Sequence, residues 1–261
     1  MTQNGSAPPD AATDAVTVAY VHGNEVAYSW HHSMVELVGY DMAHEGRVIR
    51  GGYISMRCGS SGLPEARNKA VAEFLGSMDA DWVLWLDTDM GFPPDVADRL
   101  LDAADPQERP IVGALCFAQK EIEPDLMGGW RCMAAPTIFD WVRTGDGQEG
   151  FTTRFDYPAN TLVRCAGTGG ACILVHKSVY AKIAARYGPV WYDMAPNPTT
   201  GHLIGEDLSF CARAGALGIP VHVHTGVQAT HFKPVWLAEA DYQAERELIR
   251  AAERDPEPSP A

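Results

Sequence analysis

The apolar and polar positions of this chain alternate between short hydrophobic runs and segments with helical spacing. "AVTVAYVHG" (15–23) is a β-rich apolar run ended by glycine, and "VIRGGYIS" (48–55) reads as a second strand. "LPEARNKAVAEFLGS" (63–77) has a proline near its start, good helix formers within it and Gly76 near its end, which predicts a helix. "WVLWLDTDM" (82–90) opens as a continuous apolar run of the kind buried on both faces of a parallel sheet. "PPDVADRLLDAA" (93–104) follows as a helix, and "PIVGALCF" (110–117) as the next buried strand. Strand and helix alternate, so the expected fold class is α/β with an open, mostly parallel sheet flanked by helices and joined by right-handed crossovers.

Past residue 118 the pattern loosens. Residues 119–160 are rich in Gly, Pro and aromatics and predict long loops with short strands, a loop-rich region suited to substrate specificity. Order returns over 161–188 as strand, glycine loop, strand and helix, then over 205–232 as a helix at about 206–216 and one or two strands. "WLAEADYQAERELIRAAER" (236–254) predicts a final charged helix. The small, polar, proline-bearing ends, 1–15 and 255–261, are expected to be disordered tails around a single domain spanning 16–235.

Charge and cysteine content narrow the function. A net charge of −14 and a pI near 4.9 disfavour the clustered Lys and Arg of a nucleic-acid footprint, so nucleic acid is an unlikely partner. The apolar runs are short and interrupted and the N-terminus lacks the basic-then-apolar order of a signal peptide, which predicts a soluble, cytoplasmic protein with no membrane span. The six cysteines form no CxxC pair and read as reduced thiols.

The candidate chemistry begins at Asp87 and Asp89, which close the most apolar strand. Ligands of open α/β sheets bind off the carboxyl ends of the strands, and residues two apart on extended backbone point to one side. Both carboxylates can then meet one hard cation, Mn²⁺ or Mg²⁺; the bland alternative is a pair of turn residues ahead of "GFPPD". Glu206 and Asp207 follow Gly205 at a helix start, where they serve either as cap and dipole partners or as a base for an acceptor hydroxyl. His231, past the last strand, is a lone histidine that could complete a metal site; His222 and His224 share a strand face but alternate with valine as any half-buried strand does. "AGTGGA" (166–171) offers bare backbone amides to a sugar or phosphate, or is a plain turn. Arg67 could neutralise a diphosphate, and Asn68 suits a helix interior only if its amide has a partner. No GK[ST] and no GxGxxG after the first strand appears, which removes the P-loop and dinucleotide readings.

The order "ARN", "LDTDM" with "FPPD", "GTGG", "GED" and "TH", over roughly residues 16–233, resembles the nucleotide-sugar-dependent glycosyltransferases of the GT-A fold, family-2-like. The resemblance implies that Asp87 faces the donor's ribose or the metal and that Asp89 and His231 bind the cation. It further implies that Asp207, with Glu206 nearby, is the base of an inverting transfer, and that His22 and Gly23 lie near the nucleotide base. Gly167, Thr168, Gly169 and Gly170 would flank the donor sugar or acceptor. The implied donor is a nucleoside-diphosphate sugar, UDP-linked first and GDP-linked next, and the acceptor is an unknown hydroxyl. The segment "VHGNEVAYSWHHSM" departs from the opening of polysaccharide-building relatives, which favours a discrete acceptor over a processive synthase. Trp130, Trp141, Phe151, Phe155, Tyr157, Trp191 and Tyr192 are candidates for stacking on sugars. Two other classes remain open: a metal-dependent phosphohydrolase with Asp87 as nucleophile and Asp89 as acid, and a non-catalytic nucleotide-sugar binder.

Overall fold

The computed structural model of the protein describes residues 14–124, 130–145 and 147–234 together with Glu239, Gln243 and Arg246. The expected helix over 236–254 lies otherwise outside the described residues. The chain opens with β1 (Val16–His22), α1 (Tyr28–Ala43), α2 (Arg47–Gly51), β2 (Tyr53–Arg57), α3 (Gly62–Ser77) and β3 (Trp82–Leu86). It continues through β4 (Met90–Gly91), α4 (Val96–Ala103) and β5 (Ile111–Leu115) into β6 (Phe117–Pro124), β7 (Trp130–Pro136), β8 (Ile138–Arg143) and β9 (Glu149–Thr153). The last third holds β10 (Leu162–Cys165), β11 (Gly167–Thr168), β12 (Cys172–His176), α5 (Lys177–Tyr187), β13 (Ala195–Pro196), β14 (Leu203–Ile204), α6 (Glu206–Ala216), β15 (Val221–Gln228) and β16 (Thr230–His231).

A seven-stranded sheet in the order β10-β15-β5-β12-β3-β1-β2 forms the centre. β1 and β2 run parallel to β3; β12 lies antiparallel between β3 and β5, and β15 is parallel to β5. Only β12 and the edge strand β10 oppose the common direction, so the sheet is mostly parallel, as the strand-helix alternation predicts. Its two faces carry separate apolar layers. One joins α3, α5 and α6 to Ala19, Val83, Trp85 and Ile173, and the other joins α1, α2 and α4 to Val18, Leu84, Leu86 and Leu174. β3 feeds both layers through alternate side chains, which is why every residue of Trp82–Leu86 is apolar and buried.

One local expectation is overturned, and one helix stands where no element was expected. The segment after β1 is the 16-residue helix α1, and residues 47–51 are the helix α2, so the second strand starts at Tyr53. The buried face of α1 is Trp30, Ser33, Leu37 and Asp41, a helical stripe whose two polar members hide its periodicity. Both polar groups have partners: Ser33 Oγ accepts the Phe92 N–H at 3.0 Å, and the Asp41 carboxylate accepts the Val48 and Ile49 N–H groups at 3.0 and 2.9 Å, capping α2. α2 lies so close to β1 that a Cβ on Gly51 would stand 2.2 Å from the Val16 carbonyl.

The loosely patterned region is more ordered than a set of loops. β6 and β7 form one hairpin, and β9, β8 and β11 form a three-stranded sheet beside the carboxyl end of the central one. Among the described residues no helix is long and apolar enough to cross a membrane. The cysteines whose side chains are described, 58, 116, 165, 172 and 211, are free thiols.

Candidate functional site

β3 delivers its last residue to the carboxyl edge of the sheet, and the backbone then turns. The Met90 N–H donates to the Asp87 carbonyl at 3.1 Å, so residues 87–89 are a turn and not the extended backbone expected to align the two carboxylates. The Asp87 N–H donates to the Ala171 carbonyl at 2.8 Å, which ties the turn to the glycine loop before β12. β4 then pairs with β16, setting His231 opposite Met90, and the Phe232 N–H donates to the Asp89 carbonyl at 2.8 Å. A residue 142 positions away is thereby laid beside Asp89.

Two charge clusters result. In the first, Arg67 of α3 is buried, its side chain 2% exposed, and donates to Asp87 Oδ1 at 2.8 Å and to the Gly170 carbonyl at 3.5 Å. Its Nε lies 3.6 Å from Glu206 Oε1, and its guanidinium stacks over Trp85 and Tyr192 at 5.0 and 5.6 Å. Burial, reinforced by the charges of Asp89 and Asp207 and opposed by Arg67, holds the Asp87 carboxyl above its ordinary range. Burial raises Glu206 as well, again with Arg67 opposing.

In the second cluster, Asp89 Oδ2 meets His231 Nε2 at 3.0 Å and Lys233 Nζ at 2.8 Å. Burial alone would raise Asp89, yet the hydrogen bonds and charges of His231 and Lys233 outweigh it and hold the carboxyl at about 2. The hydrogen bond to Asp89 raises His231 in turn. His231 Nδ1 lies 2.8 Å from the Phe117 carbonyl, which can only accept, so Nδ1 carries the proton and the Nε2 lone pair faces Asp89 when the ring is neutral.

Among the described residues no group of three or more His, Cys, Asp or Glu side chains is gathered to hold a metal ion alone. The donor set still suits an ion that takes part of its shell from a substrate. Asp87 Oδ2 and Asp89 Oδ1 have no hydrogen-bond partner among the described residues. The 3.0 Å between Oδ2 and Nε2 is close to the spacing of adjacent ligands around an octahedral ion with bonds of about 2.1 Å.

The remaining candidates divide. Asp207 lies in the first turn of α6 and its Oδ2 accepts the Gly170 N–H at 3.4 Å, so Gly169 and Gly170 lie between Asp207 and Arg67. A Cβ on Gly170 would stand 3.2 Å from the Arg67 guanidinium, which is why this position carries no side chain. Gly167 and Thr168 belong to buried β11, Gly167 packing under Phe151 and Leu208 and Thr168 against Gly113 of β5. His22 ends β1, its Nδ1 2.7 Å from the Gly23 carbonyl, and no hydrogen bond or ion pair among the described residues links either to Asp87 or Asp89. Asn68 uses its amide on the backbone, accepting the Trp191 and Tyr192 N–H groups at 2.9 Å each and donating to the Tyr192 carbonyl at 2.8 Å. His222 and His224 sit half-buried on β15, where burial lowers both.

Of the aromatics expected to meet sugars, Trp191 and Tyr192 are instead buried, packed against Tyr180 and Phe210. Trp141 and Phe155 are exposed, and Phe151 lines a cavity of about 370 Å³ beside the first turn of α6, with Gln148, Asn197, Thr200, His202 and Leu208. Lys233 went unread in the sequence, although two residues past His231 on a non-helical segment is a readable position.

No protein family matches the sequence, and no curated protein is detectably similar to it. Solved structures align with the chain. GalNAc-T7, crystallised with UDP, GalNAc and Mn²⁺, aligns with a TM-score of 0.52 at 11% identity over 92% of this chain, which spans about half (47%) of that protein. A197 from STIV aligns with a TM-score of 0.47 at 12% identity over 84% of this chain and 86% of that one.

Proposed function

We propose that the chain transfers a sugar from a nucleoside-diphosphate sugar, UDP-linked first, to an acceptor hydroxyl, assisted by Mn²⁺ or Mg²⁺. One observation carries the reading: at the carboxyl edge of the sheet, where open α/β folds bind ligands, Asp87, Asp89, His231, the Gly169–Gly170 loop and Asp207 converge. The shared fold with GalNAc-T7 makes such a donor the first to test.

Asp89 and His231, with Asp87 beside them, would hold the ion, and the ion would supply charge stabilisation to a departing diphosphate. Arg67 holds Asp87 in place and offsets the mutual repulsion of Asp87, Glu206 and Asp207; its burial makes it a positioning residue. The Gly169–Gly170 backbone lies against the Asp207 carboxylate, which takes the proton of the attacking hydroxyl. A single displacement of that kind inverts the anomeric centre. The cavity beside α6 contributes polar groups, Glu149 among them, and the Phe151 ring, a lining suited to a hydroxylated acceptor.

The test is a screen of UDP- and GDP-sugars for slow release of nucleoside diphosphate without acceptor, with Mn²⁺ or with EDTA, comparing wild type and Asp89→Ala. Release from one donor that requires both the metal and Asp89 is expected. No release, together with no metal-dependent nucleotide binding by calorimetry, would reject the proposal.

A further inference from the structure

We propose that Lys233 is a resident counter-ion of Asp89 that a divalent cation must displace, so that Lys233 sets the affinity of the site for metal. The inference rests on the metal-assisted reading above and concerns a residue outside the ligand set. Asp89 Oδ2 has two nitrogen neighbours of different kinds. His231 Nε2 owns a lone pair and can bind a cation together with the carboxylate. The Lys233 ammonium, 2.8 Å from the same oxygen, has no lone pair and repels a dication. A cation seated between His231 Nε2 and Asp89 Oδ2, 3.0 Å apart, therefore competes with the ammonium for that oxygen, whereas Oδ1 alone would leave the imidazole out of reach of the pair's shared ion.

The surroundings let the ammonium leave without disturbing the fold. The backbone leading up to Lys233 is pinned by the β4–β16 pairing and by the Phe232 N–H on the Asp89 carbonyl, whereas the Lys233 side chain is 38% exposed on a flexible stem. Its presence answers a local need: Asp87, Asp89, Glu206 and Asp207 gather in a chain of net charge −14, and Arg67 is committed to Asp87 and Glu206. Lys233 balances Asp89 while no cation is bound. A nucleoside diphosphate then strengthens metal binding in two ways, by adding oxygen ligands and by offering the displaced ammonium a new anion.

Mn²⁺ binding to the full chain, followed through the electron paramagnetic resonance signal of the free ion with and without UDP, tests this for wild type, Lys233→Gln, Lys233→Arg and Asp89→Asn. Removing a half-exposed ion pair should tighten Mn²⁺ alone by roughly threefold in Lys233→Gln and shrink the gain given by UDP. Lys233→Arg should stay as weak as wild type, and Asp89→Asn should lose the site. Equal or weaker Mn²⁺ binding by Lys233→Gln overturns the inference and leaves the glycosyltransferase reading standing. Tighter Mn²⁺ binding without any UDP binding upholds the inference and rejects the donor. UDP binding with no Mn²⁺ uptake by any variant overturns both the metal reading and this inference.

Discussion

Arg67→Met removes the only described guanidinium or ammonium in ion-pair contact with Asp87 and Glu206 while keeping an apolar, unbranched stem. Arg67 is 2% exposed, and its partners Asp87 and Glu206 are 28% and 16% exposed, so the variant leaves two largely desolvated carboxylates without a counter-charge. Removing one member of a buried pair costs about 3–5 kcal/mol, and the lower end applies because Asp87 retains some water contact. At about 2–4 °C per kcal/mol for a domain of this size, the melting temperature at pH 7 should fall by roughly 6–12 °C. The pH dependence separates lost charge pairing from lost packing. Burial holds both carboxyls above their ordinary range even with Arg67 present. A carboxyl whose folded-state pKa exceeds its unfolded value stabilises the fold below the unfolded value, and that contribution disappears as pH rises through the folded one. Without Arg67 both folded values move higher, so the deficit should shrink as pH is lowered from 7 to 5. Circular dichroism melts of wild type, Arg67→Met and Arg67→Met/Asp87→Asn give the comparison, the double variant recovering part of the loss. A melting temperature within 2 °C of wild type at pH 7, or a deficit equal at both pH values, would refute the reasoning.

Other expectations come from the same contacts. The His231 ring should titrate above its ordinary 6.5, because a bond to the Asp89 carboxylate favours its charged form, and should move back toward 6.5 in Asp89→Asn, as read by NMR of the ring protons. With a raised pKa, this pair supports stability below pH 6.5 and ceases to do so as pH climbs through the folded-state value. Asn68→Ala strips acceptors from two backbone N–H groups and should cost about 2–4 kcal/mol in urea unfolding, reported by the fluorescence of buried Trp191. Gly51→Ala drives a Cβ to 2.2 Å from the Val16 carbonyl and should leave little soluble folded protein, whereas Gly23→Ala, with open space around it, should melt within a degree or so of wild type.

The parts of the fold legible in the sequence are those whose burial is continuous along the chain. β3 packs helices on both faces, so its apolar character shows in every residue, and the carboxylates at its end stand out against it. α1 was illegible because Ser33 and Asp41 sit on its buried face, each satisfied by backbone groups that no local pattern reveals. Asp87 and Asp89 were read as a pair on one side of an extended strand, but the turn gives them separate partners, Arg67 on α3 and His231 with Lys233 after β16. Those partners lie 20, 142 and 144 residues away, and only the strand order brings them together. Even so, one clue to the hidden electrostatics was local. Arg67 stands on α3 in line with Ala70, Val71 and Phe74, the stripe that faces the core. An arginine on the apolar face of a helix must find an anion inside the protein, and the nearest strand end by sequence that offers carboxylates is the one after β3. Read this way, "EARNKAVAEF" and "LWLDTD" predict each other: the buried cation needs Asp87, and a carboxylate at the end of a buried strand needs Arg67.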